Sequence, residues 1–152
     1  MYFPFVIATM LVLPLVSTGI DLWLHPDLPT MLLLGRWFVF WGAGVRLFAA
    51  GLKQTLQPEF TARQIFKLKT GEAFPIVREL GISNIAAGIV GIASIFAPSF
   101  LLPIAVYATI FYGAAGFGHI GQKDRSANEN LALWTDLLIA AVLLAFIIWS
   151  VA

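Results

Sequence analysis

The chain has 152 residues, 60% hydrophobic and 11% charged, with nine Lys and Arg against eight Asp and Glu. A soluble domain carries about 25% charged residues, so charge this sparse excludes a soluble enzyme, and a net charge of +1 gives no pointer to nucleic acid. The absence of cysteine excludes disulfides, dithiol redox chemistry and thiolate metal sites. Five apolar stretches of about twenty residues would use roughly 100 positions, which describes one small polytopic membrane domain over residues 1–152.

The first stretch runs from about Phe3 to Leu22. No Lys or Arg precedes it, and Val16, Ser17 and Thr18 make a poor cleavage site, so it reads as a retained transmembrane helix and not a signal peptide. A short polar loop with Asp21, His25, Pro26, Asp27 and Pro29 follows. The second stretch, about Thr30 to Leu52, contains Arg36 and Arg46, and Lys53, Gln54, Gln57 and Pro58 end it. Thr61 with Gln64 three residues on has the form of a capping box, and Phe60 with Ile65 that of a hydrophobic staple. Residues 61–69 are therefore expected to form a short amphipathic helix on the membrane surface, with Arg63, Lys67 and Lys69 as its basic face. The third stretch, about Ala73 to Ala97, carries Arg78, Glu79 and Asn84, and the fourth runs from Phe100 to His119. Gly121 to Asn130 is the longest fully polar run and reads as a loop. The fifth stretch, Leu131 to Val151, contains Asp136.

The predicted fold is an all-α membrane bundle of five transmembrane helices plus one short interfacial helix, or four if the first stretch is peripheral. Lys53, Arg63, Lys67, Lys69, Lys123 and Arg125 lie in two loops that share a side, and they are six of the nine basic residues. The positive-inside rule places that side in the cytoplasm of a bacterial inner membrane, with the N-terminus inside and the C-terminus outside. Trp134 and Trp149, about 22 Å apart along a helix, would mark the two interfaces of the last span.

A charge in hydrocarbon costs several kcal/mol on insertion scales, so each one calls for an account. Alternating spans bring Arg46, Arg78, Glu79, Asn84, His119 and Asp136 to the cytoplasmic half. Two are cationic and two anionic, which is the balance a buried cluster requires. One reading makes them polar glue, with Arg46–Asp136 or Arg46–Glu79 pairs fixing helix order and Arg78 snorkelling to the headgroups. The other is a cytoplasm-facing pocket in which Arg46 and Arg78 hold an anionic or polar headgroup, Asp136 or Glu79 accepts protons and His119 lines the mouth. Arg36 is expected to snorkel outward toward Asp21 or Asp27. His25 with two Asp is weak spacing for a metal, and a bis-His haem is excluded because His25 and His119 fall on opposite sides, roughly 30 Å apart. Gly81, Asn84, Gly88 and Gly91 follow one helical line, and Gly113, Gly116, Gly118 and Gly121 crowd the fourth span. This points to close packing of the third and fourth helices, or to a dimer seam.

The segments Gly44–Lys69, Pro75–Ile92, YGAAGFGHIGQKDRS and WTDLLI resemble a family of small bacterial membrane proteins, domain of unknown function 6790. The likeness covers the chain from about residue 32 onward. Its most specific parts are the Arg46 helix, the Phe60-Thr61-Ala62 turn, the Arg78-Glu79-Leu80-Gly81 start and Asn84. It implies an integral membrane bundle and brings neither an activity nor catalytic residues. A weaker likeness to DoxX-type membrane proteins rests on architecture alone and implies quinone- or redox-linked partners. No catalytic constellation, metal cluster or cofactor motif stands out, so whether the chain is an enzyme is left open. The first functional reading is a non-enzymatic subunit or accessory factor, partnered by another membrane subunit or a second copy. The second is a binder, carrier or enzyme for a lipid or quinone at the polar cluster. The third is a small proton-coupled transporter, for which no matching pair of interrupted spans is present. The lipid bilayer is the general partner, with anionic lipid favoured by the basic segment at about 1 kcal/mol per surface charge.

Overall fold

The computed structural model describes residues 2–65, 71–121, 125 and 127–152. Among these, every regular element is helical. Five helices are long and apolar enough to cross a membrane: α1 (Phe3–Leu24), α2 (Thr30–Leu56), α4 (Gly71–Ala93), α5 (Pro98–Ile120) and α6 (Ala127–Val151). The short α3 joins α2 to α4 and consists of Pro58–Phe60 continued by Thr61–Ile65. The expected five-helix bundle with one short accessory helix is therefore the fold, and the first stretch is a full-length helix.

Several boundaries differ from expectation for local reasons. Gln57 has an extended φ of −134° and Pro58 occupies the first turn, so α3 begins three residues before the predicted cap. Thr61 is helical and buried, and it does not cap the helix. The helix is amphipathic all the same, with Pro58, Thr61 and Ala62 inward and Glu59 and Arg63 outward, paired at 2.6 Å. Lys67 and Lys69 lie outside the described residues. The last helix starts at Ala127, inside the predicted loop, and buries Glu129 in its first turn, where the helix dipole favours an anion.

Helix α2 is the hub. In its most apolar window 44% of residues are buried, against 28–33% in the other four long helices. Its glycines explain how it serves two neighbours at once. Gly35 and Gly42 face α6, where Phe146 packs on the first and Ile139 on the second. Gly44 and Gly51 face α4. A Cβ added at Gly51 would sit 2.5 Å from Gly81 O, and one at Gly91 would sit 2.7 Å from Gly44 Cα. In a bundle without a hydrophobic driving force between helices, such close approach supplies the van der Waals contact that holds them together.

The glycine line of α4 thus packs on α2, not on α5 as expected, because α2 supplies matching gaps at Gly44 and Gly51. On α5, Gly116 meets Leu137 of α6, while Gly118 and Gly121 meet nothing within 4 Å. The core between these pairs contains Met10, Phe38, Val39, Ala105, Ile139 and Leu143.

Three π-helical segments interrupt the regular winding among the described residues, Ala8–Val12 in α1, Val39–Val45 in α2 and Thr61–Ile65 in α3. In the second, the Arg46 N–H bonds to Trp41 O instead of the Gly42 O that an α-helix would offer. The Gly42 carbonyl instead accepts the Tyr112 hydroxyl of α5 at 2.6 Å.

Gly88 stands 2.5 Å, measured from an added Cβ, from the Phe48 backbone nitrogen. Gly88→Leu is expected to destabilise the bundle by about 1–3 kcal/mol or more through overpacking, seen as a lower thermal midpoint in detergent. Gly118→Ala, which fills open space, should leave that midpoint unchanged or slightly raised.

Candidate functional site

Antiparallel winding brings the N-terminus of α1, the C-termini of α2 and α5 and the N-termini of α4 and α6 to one end of the bundle. A cavity of about 220 Å³ opens there. Its polar lining is Arg46, Lys53 and Gln54 from α2, Thr61 from α3, Asn84 from α4, Tyr112 and His119 from α5, and Asp136 from α6. Phe5, Leu47, Phe60, Leu80 and Phe111 supply the apolar wall.

Each polar group is placed by a specific local cause. Arg46 is the first residue beyond the π segment, whose wider turn determines the direction in which it leaves α2. Its guanidinium acts electrostatically on the Asp136 carboxylate. Asn84 lies on the same face of α4 as Gly81 and Gly88, where the close approach of α2 leaves it 1% exposed. Its Nδ2 donates to Gln54 Oε1 at 2.8 Å, while its buried Oδ1 has no hydrogen-bond partner. His119 sits in the last turn of α5, which Arg125 caps through His119 O at 2.9 Å and Ile120 O at 3.1 Å. The same guanidinium donates through Nε to Asn130 Oδ1 of α6 at 2.9 Å, tying the two helix ends together. Lys53 is exposed, and its ammonium lies 3.6 Å from the centre of the Phe60 ring, a cation–π contact that holds it at the rim.

Of the six residues expected to cluster, four meet here: Arg46, Asn84, His119 and Asp136. Arg78 and Glu79 do not line this cavity and are exposed. The reason is helical phase: Val77, Gly81 and Asn84 take the face of α4 turned to α2, so positions 78 and 79 point away from it. Arg78 instead borders an open groove with Leu56, Glu59, Phe60, Arg63 and Phe74.

Residues 4–152 match the model of a family described as a family of unknown function, DUF6790. The chain belongs to this family. No curated protein and no solved structure matches it.

Sequence reasoning missed Tyr112, Phe5, Phe111 and the site role of Lys53 and Gln54. Tyr112 and Phe111 look like ordinary apolar-span residues until the π segment is known. Lys53 and Gln54 carried a signal, since Lys53 lies seven residues, two turns, beyond Arg46 on the same helix face.

A second polar network occupies the opposite end. Asp21 is 7% exposed and accepts hydrogen bonds from Trp37 Nε1 at 2.9 Å and Arg36 Nη1 at 3.3 Å, and its other oxygen lies 2.7 Å from His25 Nδ1. Trp41 Nε1 donates to Ser17 Oγ at 3.0 Å. Arg36 thus turns to Asp21, as expected, and the network ties α1 to α2. No group of three or more metal-ligating side chains occurs among the described residues.

Tyr112→Phe removes the only side-chain hydroxyl reaching the Gly42 carbonyl among the described residues. The loss of this buried bond is expected to cost about 1–3 kcal/mol, measured as a shift of the unfolding midpoint in detergent.

Proposed function

We propose that this is a multi-pass protein of the bacterial inner membrane that holds the polar head of an amphiphilic molecule, a lipid or a quinone, in the cavity around Arg46. In this reading the N-terminus lies in the cytoplasm and the C-terminus outside, following the concentration of Lys53, Arg63 and Arg125 at one end. The outward faces of all five long helices carry large apolar side chains, among them Trp23, Leu56, Ile89, Ile110, Phe117 and Ile148. Lipid tails would solvate such a surface, and water would not.

One observation carries the binding reading. Polar groups from four long helices converge on a half-open cavity whose other wall is apolar. Pockets that enclose a whole drug-sized ligand measure about 300–1,000 Å³. At about 220 Å³ this cavity takes a head and leaves the hydrocarbon chain outside. Phe5 lines the cavity and is also exposed on the bundle surface, so a chain leaving beside it reaches the lipid directly. Arg46, Asn84, His119 and Asp136 supply both donors and acceptors, which is what binding an oxygen-rich head requires. The activity is binding or carriage.

Native mass spectrometry of gently solubilised protein tests this. The wild type is expected to retain a discrete small-molecule adduct. Arg46→Ala should lose it at least about tenfold, the scale of a charge-assisted hydrogen bond. Arg78→Ala, outside the cavity, should keep it. Wild-type protein that is always bare would overturn the reading.

A further inference from the structure

The charge and hydrogen-bonding capacity of the cavity define the ligand more narrowly than amphiphile. Arg46 and Lys53 are two cationic side chains in the lining against one carboxyl, Asp136, so cationic groups outnumber acidic ones. A neutral ring system would bring no charge to balance that excess. A phosphodiester monoanion compensates it, and a guanidinium matches phosphate oxygens with paired N–H donors.

The opposite demand comes from Asn84. Its Oδ1 is a buried acceptor on a residue that borders the same cavity, and no described residue donates to it. Leaving such a group unsatisfied costs about 1–3 kcal/mol. Its own Nδ2 is taken by Gln54, which fixes the amide with the oxygen as the free end. Asp136 is a second acceptor in the same lining. The bound head must therefore bring O–H or N–H donors in addition to its anion.

We infer that the head is a hydroxyl-bearing phosphodiester monoanion of the glycerophosphate type. Its phosphate lies toward Arg46 and Lys53 and its hydroxyls toward Asn84 and Asp136. A zwitterionic head with an amine would also supply donors, but its net charge of zero does not match the lining. The inference rests on the cavity being the binding site, as proposed above. The same chemistry is available from a phosphoglycerol lipid or from free glycerophosphoglycerol, the soluble phosphodiester with the same head.

The test uses the full chain, delipidated in mild detergent and titrated with five probes: phosphatidylglycerol, phosphatidylpropanol, phosphatidylethanolamine, a ubiquinone and glycerophosphoglycerol. Phosphatidylpropanol keeps the charge and length of the glycerol head but lacks its two hydroxyls. Bound fractions by native mass spectrometry should favour phosphatidylglycerol over phosphatidylethanolamine, and over phosphatidylpropanol, by about tenfold each. Lys53→Gln, at an exposed position, should reduce the preference for phosphatidylglycerol over phosphatidylethanolamine about threefold, and Arg46→Gln should abolish it. Glycerophosphoglycerol competing at concentrations equal to the lipid would support the head chemistry and assign a soluble source. Weaker competition would assign the lipid.

Equal binding of phosphatidylpropanol and phosphatidylglycerol would overturn the role of Asn84. Preference for phosphatidylethanolamine or ubiquinone that depends on Arg46 would overturn this inference and leave the amphiphile site standing. Failure of every probe, with no adduct in freshly solubilised protein, would remove both.

Discussion

The bundle is held by how closely α2 approaches its neighbours. Glycines at 35 and 42 admit α6, and glycines at 44 and 51 admit α4, so one helix is in backbone-level contact on two sides. Each pair is seven residues apart, two helical turns, and therefore forms a straight groove on its face. Two polar residues of the cavity are placed by these grooves. Asn84 is buried because it sits in one of them. Asp136 lies one turn before Ile139, the residue that packs on Gly42, so the α2–α6 contact brings it toward the cavity.

The two ends of the molecule treat charge differently. At the Asp21 end, the carboxylate is surrounded by donors from Arg36, Trp37 and His25 within one compact network. This is structural use of charge, in which each donor reaches the same acceptor. At the Arg46 end, Arg46, Asn84, His119 and Asp136 line a space, and Asn84 still has an acceptor to satisfy. A network satisfied within the protein holds helices together. A network with capacity left over, built around a cavity, is suited to something that comes and goes.

Much of this was legible in the sequence because it rests on hydropathy and helical phase. Five long apolar stretches gave five helices, and alternation of direction brought Arg46, Asn84, His119 and Asp136 to one end. The same phase argument carried further would have excluded Arg78 and Glu79, since Gly81, Asn84, Gly88 and Gly91 already defined the packed face of α4. What could not be read was which helix meets that face. Small residues announce close packing but not the partner, and the matching glycines of α2 were hidden in an arginine-bearing span. The start of α3 was misplaced because Thr61 and Gln64 satisfy the pattern of a cap, while Pro58 three residues earlier had already set the helical turn. The π segments had no sequence signal, because the hydrogen bond that stabilises the second one comes from Tyr112 on a distant helix.

That hydrogen bond has a geometrical consequence. A π segment accommodates about one more residue than an α-helix over the same rise, which offsets everything after it by about 100°. The direction of Arg46 is therefore a phase angle, set upstream by the backbone and latched by a phenol on α5. If the segment rewound as a regular α-helix, Gly42 O would return to the Arg46 N–H, Tyr112 would be released, and the guanidinium would sweep by more than a quarter turn. The cavity would lose the Arg46 charge without any side chain being replaced. That charge is thus coupled mechanically to the winding of the helix that carries it.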